Sequence, residues 1–205
     1  MKTLALYLSA ALLPMALLTH GQGTLVFDQQ SATNETPDPF GAGSVMQNIP
    51  APWGQSFTPD LSSVGFVRLK LNDKNIDDAL GVTLSVNLRA GSISGTVLSS
   101  SDPVVLPNAF SGVVDFLFPA PVSVTSGVTL YFEPIVQSGG PWAIQFAGED
   151  VYPGGTAIFS GQPSLMSDFW FREGIVVPEP SVLALIGLGA GLAVLRLLRL
   201  LCRQT

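Results

Sequence analysis

A chain of 205 residues with 21 Gly, 16 Pro, 12 Phe and only 12% charged residues favours strands and turns over helices. Its net charge of -6 disfavours nucleic acid and anionic lipid as partners. The lone His and Cys, His20 and Cys202, lie near the termini, so the segment between them lacks a His- or Cys-based nucleophile, a Cys/His zinc cage and a disulfide framework.

The chain opens with Lys2 and an apolar stretch from Leu4 to Leu18. Small residues follow at Thr19, Gly21 and Gly23. This pattern predicts a Sec-type signal peptide over residues 1–23, cleaved after Gly21 or Gly23, with an uncleaved anchor as the alternative. Residues 24–176 are then an exported domain, whose only bases are Arg68, Lys70, Lys74, Arg89 and Arg172. That length suits one hydrophobic core.

Within this domain the hydrophobic period is two. Short strands are expected at Leu25 to Asp28 and Gln55 to Thr58. Between them, Asn34 to Pro52 carries four prolines with Gly41 and Gly43 and reads as a long loop. Val67, Leu69 and Leu71 alternate with Arg68 and Lys70. Val82, Leu84, Val86 and Leu88 alternate with Thr83, Ser85, Asn87 and Arg89, the clearest strand. Further alternation covers Val114 to Phe118, Val128 to Glu133 and Trp142 to Ala147. Thr156 to Phe159 and Asp168 to Arg172 complete about nine strands. Turn residues separate them, among them Pro59-Asp60, Gly139-Gly140-Pro141 and Pro153-Gly154-Gly155. The expected fold is all-β, an antiparallel β-sandwich of jelly-roll-like form.

Few side chains in the domain carry chemistry. Glu133, Glu149, Asp150, Asp168 and Glu173 are carboxylates from which a glycosidase pair would have to come. Glu133 reads as a solvated strand residue and Glu149-Asp150 as a turn, so no enzyme is expected. Asp73, Asn75 and Asp77 place oxygens at alternate positions and form a weak calcium hypothesis against a plain hairpin turn. The EF-hand pattern fails, because Asp78 stands at its sixth position and Leu84 at its twelfth. No other cofactor is implied. Trp53, Trp142, Trp170, Tyr131 and Tyr152 are the candidates for a sugar-stacking platform, although parity turns Trp142 inward.

The last 29 residues begin with Val177, Pro178, Glu179 and Pro180. Two prolines remove two backbone donors and favour an extended, exposed segment. An uncharged apolar run follows from Val182 to Leu195, then Arg196, Arg199 and Arg203. As a helix the run spans about 21 Å, and snorkelling of Arg196 and Arg199 lets Leu197 to Leu201 lengthen it towards a ~30 Å hydrocarbon core. The arginines predict a cytoplasmic C-terminus.

This order, Val-Pro-Glu-Pro, apolar helix and arginines, resembles the PEP-CTERM sorting signal of bacteria that secrete exopolysaccharide. The basic cluster is more spread out here than is usual in that family. The resemblance implies that an exosortase-type membrane enzyme processes the chain near Pro178-Glu179-Pro180. Residues 177–205 are thus expected to be a sorting signal with a transmembrane helix and basic tail. The protein is expected to be a membrane-anchored precursor that becomes a structural or adhesive protein of the cell surface or extracellular matrix. The alternative is a non-catalytic module that binds exopolysaccharide.

Overall fold

A computed structural model describes residues 23–34, the backbone of 44–46, and residues 52–178. In chain order the strands are β1 (Thr24–Gln30), β2 (Ser44–Met46), β3 (Gly54–Phe57), β4 (Ser63–Asp73), β5 (Val82–Ala90), β6 (Thr96–Ser100), β7 (Val104–Leu106) and β8 (Ser111–Ser123). They continue with β9 (Leu130–Gly139), β10 (Trp142–Ile144), β11 (Phe146–Ala147), β12 (Ala157–Phe159), β13 (Gln162–Ser164), β14 (Asp168–Phe169) and β15 (Phe171–Val177). No helix occurs among the described residues. The fold is all-β and sandwich-like.

The first sheet is organised around β4. Along one edge β4 pairs with β8, and along the other with β15 and then β10. Strands β1 and β2 flank β15 and β10 respectively. The second sheet runs β13-β12-β3-β9-β5-β6, with β7 also on β5. Strands β11 and β14 form a short third ladder. The pairings of known register are antiparallel, including β4 with β8 and β5 with β9. The β4–β8 register shifts between Val64 and Phe66, opposite a stretch of β8 that holds Pro119 and Pro121. Proline cannot donate to a ladder and is tolerated on an edge strand or at a bulge.

The core lies on the inward parity of both sheets. Val67, Leu69 and Leu71 of β4, Leu84, Val86 and Leu88 of β5, and Val114, Phe116 and Phe118 of β8 are buried in one cluster. Phe57 and Phe132 from the second sheet meet Phe171 from the first, with ring centroids 5.3–6.3 Å apart. Trp142 is buried and stacks on Phe110. On the outer parity of β4, Arg68 sits directly opposite Asp115 and binds it through two hydrogen bonds of 2.5 and 2.8 Å. Leu84→Ala should cost about 3 kcal/mol, since it deletes a fully buried side chain from a packed sheet interior. Chemical denaturation checks this, and a loss below ~0.5 kcal/mol would be incompatible with the packing described.

Several details differ from the sequence expectation. The expected loop from Asn34 to Pro52 contains β2, which pairs with β10. Val128 is exposed, because the chain turns at Thr125–Val128 and β9 starts only at Leu130.

Candidate functional site

The segment Leu25–Val177 forms one compact unit. Two polar constellations are built into it, and both use residues of the C-terminal strands.

The first is centred on Asp168. Its Oδ1 accepts a hydrogen bond from Gln55 Nε2 at 2.6 Å, and its Oδ2 accepts from the backbone N–H groups of Val151 and Tyr152 at 2.9 Å each. Gln55 Oε1 accepts in turn from the Phe169 N–H. Gln55 belongs to β3 and Asp168 to β14, so this network ties the short ladder to the second sheet. Burial raises the Asp168 pKa, and the hydrogen bonds from Gln55, Tyr152 and Val151 pull against that rise.

The second surrounds Glu173. From β14 into β15 the inward parity runs Phe169, Phe171, Glu173, so a carboxyl occupies a core-facing position and is fully buried. Neither of its oxygens has a hydrogen bond of ordinary geometry. Its pKa is pushed up to about 9, first by burial and then by the Asp28 carboxylate, with the Gln29 backbone amide acting in the opposite direction. Asp28 Oδ2 accepts from the N–H groups of Asp60 and Leu61, each at 2.9 Å. Gln29 Nε2 donates to Asp60 Oδ2 at 3.1 Å. The Tyr152 hydroxyl donates to Gln29 Oε1 and accepts from the Thr58 N–H. Its ring packs edge-on against Phe171, and burial pushes the phenol up to about 12. Gly174 makes the arrangement possible. A Cβ there would overlap the Val26 carbonyl oxygen of β1, so only glycine allows β1 to lie this close.

The residues singled out in the sequence fall as follows. Val177 ends β15 and Pro178 follows it. Glu179, Pro180, Val182, Leu195, Arg196, Arg199 and Arg203 lie outside the described residues, as does the leader before Gly23. Asp73 ends β4, and its two oxygens accept the backbone N–H groups of Asn75 and Ala109. The Asn75 side chain donates to Asp78, and Asp77 is exposed. The hydrogen bonds of Asp73 and Asp78 are those of a tied turn. Among the described residues no three acidic, His or Cys side chains are gathered closely enough to form a ready-made metal cage.

Glu133 is not solvated as its strand position suggested. It is buried on the outer face of the second sheet, bound to Arg89 at 2.7 Å and to Asn87 at 3.1 Å. The reason is cross-strand pairing, since β5 places Asn87 directly opposite Glu133 with Arg89 two residues along. Apart from Tyr131, the aromatic candidates are packed against the domain. Trp170 is buried beneath Arg172 and donates its indole N–H to the Asn34 carbonyl. Trp53 packs edge-on against Phe159.

No family model matches this chain, and no curated protein matches it.

Proposed function

We propose that this is an exported structural or adhesive protein of the cell surface or extracellular matrix. It is made as a membrane-anchored precursor and sorted through its C-terminal signal by an exosortase-type enzyme. The two sheets are read as a jelly-roll-like sandwich between a cleaved leader and a transmembrane helix.

One observation carries the reading. The strand β1 lies beside β15 and runs in the opposite direction. Ser31 bonds to Phe171 at one end, and Gly174 meets Val26 to Asp28 further along. Leu25 and Val177 therefore lie at the same end of the sheet. The folded unit stops at Val177, where Pro178-Glu179-Pro180 begins. In this reading the enzyme acts on chain that follows the last strand, so processing leaves the domain folded. Both ends of the domain thus face the same way, which suits a precursor whose leader and anchor enter one membrane.

Burial of Trp142 and Trp170 favours this reading over a carbohydrate-binding module, because stacking on sugars needs an open aromatic face. The carboxylates of Glu133 and Asp168 are engaged with Arg89 and Gln55, which favours a structural role over hydrolysis.

In a host that contains the sorting enzyme, Glu179→Ala should leave full-length precursor in the membrane fraction. Fractionation and immunoblotting check this. Release of the variant at the wild-type rate would refute the sorting role of the motif.

A further inference from the structure

Strands β9, β5 and β6 lay a polar strip across the outer face of the second sheet. Tyr131 stands directly opposite Arg89, and Glu133 directly opposite Asn87, which meets Ser100 on its other side. Their chain neighbours Phe132, Leu88 and Val86 lie in the core, so these five side chains share the outward parity. Arg89 binds Glu133 Oε2 at 2.7 Å, Asn87 Nδ2 donates to the same oxygen at 3.1 Å, and Ser100 Oγ donates to Asn87 Oδ1 at 2.7 Å. These bonds hold the side chains in place without exhausting them. Every donor to Glu133 falls on Oε2, so Oε1 keeps its acceptor capacity on a carboxylate that is only 7% exposed. Oε1 is not among the enclosed atoms that lack a partner, so it is reached from outside. Asn87 keeps one amide N–H. Tyr131 is half-buried, and among the described residues neither its hydroxyl nor its ring enters a hydrogen bond or an aromatic pair.

We propose that this strip binds a neutral polysaccharide, with Tyr131 against a sugar ring and Glu133, Asn87 and Ser100 exchanging hydrogen bonds with its hydroxyls. A pyranose offers an apolar face to an aromatic ring and a rim of groups that both donate and accept, which matches a fixed acceptor set beside fixed donors. Side chains already held by one another lose little freedom on binding. The Arg89–Glu133 pair leaves the strip without net charge, and the chain as a whole carries -6, so a polyanion gains no counter-charge here and is repelled. A single available tyrosine falls short of the multi-ring platform of a dedicated binding module. It suits the weak, repeated contacts of an adhesive matrix protein, in which many copies act together, and to that extent the inference rests on the adhesive reading above.

The test is affinity electrophoresis of the full-length chain in mild neutral detergent, through gels containing hydroxyethylcellulose, dextran or alginate. At least one of the two neutral polymers should retard the protein, and alginate, a polyanion, should not. Tyr131→Ala should weaken the retardation about tenfold or more. Ser100→Lys lies at an exposed position on an edge strand, puts a long side chain across the strip without touching the core, and should weaken it likewise. Thermal melting of each variant separates lost binding from lost fold. Glu179→Ala should leave retardation unchanged, so the strip and the sorting motif can fail separately. Retardation by neither neutral polymer, retardation by alginate alone, or retardation that survives Ser100→Lys and a folded Tyr131→Ala overturns the proposal.

Discussion

Unfolding free energy should fall as pH rises from about 4.5 to about 9, and Glu173→Gln should remove Glu173's share of that fall. The sign follows from where the proton binds. In the unfolded chain Glu173 titrates near its ordinary value of 4.5, and in the folded protein near 9. Below pH 4.5 both states carry the proton and burial of Glu173 costs no ionisation. Between the two values only the folded state keeps it, so each pH unit removes about 1.4 kcal/mol of stability. Above pH 9 both states are ionised and the loss levels off. At pH 7 the accumulated loss is on the order of 3 kcal/mol, a large part of the 5–15 kcal/mol typical of a domain. Glu173→Gln is neutral at every pH and should therefore exceed wild type by about that amount at pH 7, and by more at pH 9. The measurement is urea unfolding of the full-length chain in detergent from pH 4 to 10, with chelator present to remove competing cations. The difference between the two proteins isolates Glu173 from other titrating groups. Parallel curves would show that Glu173 is not held neutral in the fold.

The alternating strands were legible because a half-buried sheet writes its faces into the sequence at period two. Val67 to Leu71, Val82 to Leu88 and Val114 to Phe118 all place their apolar members in the core. Strands on the margins lack that mark. β6, Thr96–Ser100, is largely exposed, with Val97 and Leu98 adjacent, so no face is specified. β2 has three residues and sits among prolines and glycines, where turn chemistry dominates. β13 had a readable signal in Ser160-Gly161. Both residues have positive φ and close a two-residue hairpin between Phe159 and Gln162.

The acidic site was legible only in part. Phe169, Phe171 and Glu173 share a parity, so a charged residue on a core-facing row could be read from the sequence. Its neighbours could not. Asp28 and Asp60 are 32 residues apart, and Glu173 lies more than 100 residues beyond them. They meet because β1 pairs with β15 and the turn after β3 folds back onto β1, contacts set by tertiary structure alone.

Asp168→Ala should destabilise the protein by roughly 3–6 kcal/mol, among the largest effects of any single polar change here. Three donors converge on this carboxylate: Gln55 Nε2, Val151 N–H and Tyr152 N–H. Truncation leaves all three facing an apolar gap, and each orphaned buried donor costs about 1–3 kcal/mol before relaxation or water entry reduces the sum. Gln55 then loses the anchor that orients its Oε1 towards the Phe169 N–H, so the damage spreads along β14. Asp168→Asn discriminates between lost volume and lost acceptors. It keeps the shape but substitutes an amide donor for one carboxylate oxygen, and that donor must face Gln55 Nε2 or the paired backbone amides. A loss of at least about 2 kcal/mol is therefore expected for Asn as well. Gln55→Ala removes one donor to Asp168 and the acceptor for Phe169 together, so its cost should not add to that of Asp168→Ala in the double variant. Additive costs, or an Asn variant as stable as wild type, would show that the hydrogen bonds around Asp168 do not act as one unit.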